Sequence, residues 1–163
     1  MLNIMIAVDG SPNSLQAVRH GVQLVQSGLN AHVVIAHVQK EASFLELATQ
    51  DSTLIANASM EAGMDLVGPA IDILRANEIS YEVEIRLGDA YSSLLDIASE
   101  KACHMIVMGA TGETRLGSIL IGSITRDVAR HSTVPVTIVK MRDVLDDTAD
   151  GVAGEEENIE TIR

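Results

Sequence analysis

Short, continuously apolar runs alternate along this chain with longer segments in which apolar residues return every three or four positions. The first run, NIMIAV (3–8), has strand length and is rich in Ile and Val. It stops at Asp9-Gly10-Ser11-Pro12, where Ser11 can cap a helix that carries Pro12 at its first position. Leu15, Val18, Val22 and Val25 then form one apolar stripe, and Gly28 supplies a C-terminal cap. AHVVIAHV (31–38) reads as a second strand. Residues 39–52 are mixed and expected to be loop, and 53–77 is helical in pattern, with Pro69 in its middle expected to kink the helix or start a new one.

SYEVEIRL (80–87) alternates polar and apolar as an exposed or edge strand does, and Gly88-Asp89 opens a helix bearing Leu94, Leu95, Ile97 and Ala98. CHMIVMG (103–109) predicts a buried fourth strand. A glycine-containing loop runs from Gly109 to Ile121, a helix from about Gly122 to His131, and a fifth strand from Val134 to Lys140. Strict alternation of this kind implies an α/β fold: a doubly wound, five-stranded parallel sheet, Rossmann-like with order 3-2-1-4-5, and helices on both faces. Ligands of such sheets lie outside the carboxyl ends of the strands at a topological switch point. The loops after the first and fourth strands are therefore the places to look for chemistry.

Composition narrows the picture. A chain of 163 residues with 47% apolar residues, three aromatics and no Trp suits one aliphatic-cored domain. The expected domain is 1–140, followed by an acidic, disordered tail at 141–163, which holds eight carboxylates from Asp143 onward. The formal charge is −12, of which −5 remains on residues 1–142. This balance repels a phosphate backbone and an anionic membrane, so neither nucleic acid nor membrane insertion is expected. No apolar run approaches the ~20 residues that span a bilayer. The single cysteine, Cys103, and an N-terminus without a signal-peptide pattern predict a cytoplasmic protein.

Gly109, Gly112 and Gly122, with Ser123 after the last, give the spacing GxxG, nine residues, then Gly-Ser. Such a pattern arises by chance in roughly one chain in a hundred of this length. Its context is more specific, since the first glycine ends a buried strand and the last opens a helix. That arrangement turns successive backbone N–H groups and a helix N-terminus towards an anion. The competing reading is that the glycines serve only turns and a tight helix-to-strand contact. The spacing is neither a Walker P-loop, because no Lys follows the last glycine, nor a GxGxxG turn after the first strand.

VDGS after the first strand, AHV ending the second, and VMGATG followed by LIGSITRDVARHSTVPVTIVK resemble the universal stress protein family, within the adenine-nucleotide α-hydrolase-like superfamily. The resemblance covers residues 3–140, and the glycine spacing is that of the family's ATP-binding branch. It implies ATP as ligand, with Mg²⁺ as a possible companion. Asp9 would lie near the ribose and base, the Val38 backbone on the adenine edge, and Ala7 and Val8 beneath the base. Gly109, with Met108 before it, would lie against the ribose, and Gly112, Gly122, Ser123, Ile124 and Thr125 around the phosphates. From the residues themselves, Asp9 is equally a ribose acceptor or a turn aspartate. Glu113 departs from the family, placing a carboxylate where a basic or polar residue is common; Arg115 and Arg126 are the nearest cations.

Other chemistries lack their residues. The five histidines have no HExxH or CxxC partner, so no metal set is expected, and His37 and His104 read as hydrogen-bonded structural residues in central strands. A receiver domain would need clustered acids after the first strand, and an adenylating synthetase a glycine pair within DGSPNS. No GxSxG elbow is present, and Cys103 reads as an ordinary buried thiol. Three readings follow: an ATP-binding stress-response or regulatory protein, a slow ATPase or autokinase using Ser123 or Thr111, and an interaction module that acts without nucleotide. The fifth strand would be an exposed edge in a monomer, which predicts a homodimer through that strand.

Overall fold

The computed structural model describes residues 1–40, 52–110 and 121–140. Strands β1 (Leu2–Ala7), β2 (Ala31–Gln39), β3 (Tyr81–Leu87), β4 (Met105–Gly109) and β5 (Val136–Val139) form one parallel sheet of order β3-β2-β1-β4-β5. Helices α1 (Pro12–Gln26), α2 (Ser52–Ala76), α3 (Ala90–Glu100) and α4 (Ser123–His131) connect them. The doubly wound sheet is the one the alternating pattern predicts.

The central strands are apolar on both faces because both faces are covered. Ile4, Ile6, Val33, Ile35 and Val107 pack against Ala17, Val18 and Val22 of α1 and against Val67, Ala70, Ile71 and Leu74 of α2. On the other face Met5, Val34, Ala36, Ile106 and Met108 meet Leu94, Ile97 and Ala98 of α3 and Val128 of α4. β3 is an edge strand, as its alternation predicts. Tyr81, Val83 and Ile85 pack on the first cluster, while Glu82, Glu84 and Arg86 form ion pairs with Glu100 and Lys101. A charged edge of this kind resists pairing with another chain.

Several boundaries differ from expectation for local reasons. α2 runs through Pro69 without restarting. Pro69 is exposed, while buried Val67, Ala70, Ile71 and Leu74 hold the helix on the sheet. β5 begins at Val136, not Val134, because the Ser132 hydroxyl bonds both the N–H and the C=O of Val134 and Pro135 has no N–H to give the ladder. His104 precedes β4 and is exposed, although its Nδ1 does accept from the Asn3 N–H. Cys103 is buried ahead of that strand, and burial pushes its thiol up to about 11. Of the expected loop at 39–52, Gln39 instead closes β2 and Ser52 opens α2, while 41–51, like the tail at 141–163, lies outside the described residues.

Candidate functional site

The strand order reverses direction between β1 and β4, and beyond their carboxyl ends lies a cavity of about 400 Å³. Ala7, Val8 and Asp9 come to it from β1, Val38 from the end of β2, Met108 and Gly109 from β4, and Gly122, Ser123, Ile124 and Thr125 from the start of α4. These residues lie far apart in the chain and converge only through the crossovers. Gly112, together with Thr111, Glu113 and Arg115, lies outside the described residues.

The first turn of α4 supplies the donors. Gly122 is its N-cap, with no side-chain capping bond, and its carbonyl accepts the first helical hydrogen bond from Arg126 at 2.9 Å. The N–H groups of Ser123, Ile124 and Thr125 therefore have no intrahelical acceptor, and the helix dipole adds positive potential at the same place. α1 and α3, by contrast, are capped by the side chains of Ser11 and Asp89. The Thr125 hydroxyl is already committed, donating to the Gly109 carbonyl at 3.3 Å. What Thr125 offers a ligand is its backbone.

The glycines of the motif have different reasons for being glycine. A Cβ on Gly109 would stand 2.5 Å from the Asn13 oxygen and 2.9 Å from the Ser14 nitrogen, so this glycine is required by the close approach of β4 to the first turn of α1. Gly122 has φ −58° and ψ 153°, a conformation open to any residue. Nothing in its own backbone demands glycine.

Asp9 accepts the Ser11 N–H at Oδ1 (3.0 Å), which is the turn role, and it also lines the cavity. Burial works against its charge, but the hydroxyl and N–H of Ser11, with the Ser14 hydroxyl, overcome this and hold the carboxyl below its usual range. It is a carboxylate at neutral pH and can accept from a sugar hydroxyl. The cavity also takes in Ser11, Asn13, Ser14, Ala36, His37, Ala90, Leu94 and Ala110, none of them named from the sequence as site residues. DGSPNS after a strand and the histidine beside Val38 were the available signals. Ala90 and Leu94 carried none, since an apolar residue on a helix reads as core. Among the described residues the buried polar side chains are Ser14, His37 and Thr125; all line this cavity, and each donates to a backbone carbonyl at its rim.

Comparison with known proteins agrees with this geometry. The sequence model of the universal stress protein family matches residues 1–140. Universal stress protein MJ0531 of Methanocaldococcus jannaschii is 29% identical over 138 residues, covering 84% of this chain and 81% of that one. Two solved structures of universal stress proteins carry nucleotides. One, from Arabidopsis thaliana with AMP bound, has a TM-score of 0.65 at 16% identity and covers 93% of this chain and 97% of its own. The other, in complex with cAMP, has a TM-score of 0.59 at 27% identity, with coverages of 85% and 96%. With the match running through every described strand, and the crevice at the switch point of its sheet, the chain belongs to the universal stress protein family.

Proposed function

We propose that this protein is an adenine-nucleotide-binding regulator, with ATP as its ligand and with conformation or partner affinity as its output. The observation that carries the reading is the uncapped first turn of α4 opening into the β1–β4 crevice. The cavity is of a size that takes a nucleoside, and its polar groups sort by position. Backbone donors of Ser123, Ile124 and Thr125 lie at one side for phosphate, the Asp9 carboxylate at the β1 end for ribose, and Ala7, Val8 and Val38 near the place a base would take. AMP and cAMP in related structures support the adenine nucleotide. Mg²⁺ would arrive on the phosphates and keep several of its waters.

A second reading, the interaction module without nucleotide, has one observation in its favour: packing alone explains Gly109. Calorimetric titration of nucleotide-free protein with ATP, ADP and AMP, with and without Mg²⁺, separates the two. Saturable one-to-one binding supports the regulator; absence of heat up to millimolar ATP supports the module.

We place the protein in the cytoplasm, and no described helix is long and apolar enough to cross a membrane. The expected assembly is a homodimer joined along the exposed edge of β5, with residues 1–140 as the nucleotide-binding unit and 141–163 as an acidic appendage. Sedimentation equilibrium at micromolar concentration should give twice the chain mass, and a monomer there would count against pairing through β5.

A further inference from the structure

The β1–β2 ladder stops where the cavity begins. Its paired register ends at Ala7 and Ala36, and its last backbone bond runs from the Val8 N–H to the Ala36 carbonyl at 2.9 Å. Successive residues of a strand turn their backbone groups alternately to the two neighbouring strands. Ala36 bonds on the side of β1, whereas Gln39, which accepts from the Gly88 N–H, bonds on the side of β3. Val38 therefore turns both its N–H and its C=O towards β1, just past the point where β1 has left the sheet. Were the ladder to continue, the Val38 N–H would donate to the Val8 carbonyl.

That carbonyl is taken by a side chain instead. His37 Nδ1 lies 2.7 Å from the Val8 oxygen, and because a carbonyl only accepts, Nδ1 carries the proton. The ring is 4% exposed. Its Nε2 lies 2.9 Å from the Gln39 Oε1 position, which the amide NH2 must occupy to donate to the unprotonated Nε2, and Gly63 of α2 is so close that a Cβ there would stand 3.2 Å from His37 Cδ2.

We propose that His37 is a positioning residue for base recognition. By occupying the Val8 carbonyl it leaves the Val38 N–H and C=O with no partner on β1 or elsewhere among the described residues, and it fixes the peptide that leads into Asp9. A free N–H beside a free C=O on one strand edge complements the N1 acceptor and 6-amino donor of adenine. Guanine presents the reverse order, an N1 donor and an O6 acceptor, and is mismatched. This role rests on the adenine-nucleotide reading above, but its structural half is testable in the free protein.

His37→Leu removes the donor and keeps an apolar filling, while His37→Asn keeps a donor near the position of Nδ1. The first readout is amide exchange of Val38 by NMR without nucleotide. In His37→Leu the ladder extends by one bond and Val38 exchange slows about tenfold, whereas His37→Asn exchanges like the wild type. The second is the ratio of ATP to GTP affinity, which falls about tenfold in His37→Leu and recovers in His37→Asn. Equal Val38 protection in wild type and His37→Leu overturns the proposal, as does an equal loss of ATP and GTP binding in His37→Leu. Wild-type protein that binds neither nucleotide overturns the adenine-nucleotide reading instead, and the exchange measurement then still decides whether His37 holds Val8 away from Val38.

Discussion

Gly122→Val should weaken ATP binding about a hundredfold, or about 2.7 kcal/mol, in a protein that remains folded. The backbone at Gly122 sits at φ −58° and ψ 153°, where a β-branched residue is unstrained. The cost to the fold is the poorer N-cap, about 1 kcal/mol. The cost to the ligand is larger, because Gly122 lines the cavity directly ahead of the Ser123, Ile124 and Thr125 donors. Three added carbons at that wall keep a phosphate from the N–H groups, whose strength depends on close, linear approach. Calorimetric titration beside a thermal melt checks both halves. A variant that melts near the wild type and has lost ATP fits; one that binds ATP normally removes α4 from the site.

Gly109→Ala should fail in the opposite way. Its Cβ would meet backbone atoms of Asn13 and Ser14 at 2.5 to 2.9 Å, and backbone cannot swing aside as a long side chain can. β4 or the first turn of α1 must move, at a cost of about 3 kcal/mol of stability. Urea unfolding should show an earlier midpoint with an unchanged slope. Nucleotide affinity measured well below the transition should fall less than in Gly122→Val, since the α4 donors are untouched. A Gly109→Ala protein as stable as the wild type would contradict the described contact between β4 and α1. Those two outcomes together would separate the glycines of one motif into one required by packing and one required by the ligand.

That separation marks the limit of what the sequence could disclose. The mostly apolar runs at 3–8, 31–38 and 103–109, without polar alternation, carry β1, β2 and β4, because strands buried on both faces need none. The alternation of YEVEIRL carried the edge position of β3. Gly109 and Gly122 could be placed near a ligand by spacing, but what a Cβ would strike depends on α1, which is distant in sequence. Pro69 suggests a kink or a new helix from the chain alone, and the structure carries one helix through it because the buried residues on either side hold it on the sheet. His37 is legible as a hydrogen-bonded histidine but not as a neighbour of Val8, since that contact exists only because β1 stops at Ala7 while β2 runs on past Ala36 to Gln39. The Thr125 hydroxyl donates to the Gly109 carbonyl, a contact between α4 and β4 that spacing along the chain does not disclose.

Nucleotide carried by the freshly purified protein tests the central claim most directly. Heat denaturation followed by chromatography of the supernatant should release an adenine nucleotide in proportion to protein, and the stripped, refolded chain should take up ATP again. Absence of any released nucleotide, with no rebinding up to millimolar ATP, would contradict the account and leave the crevice between β1 and β4 as a feature of the fold alone.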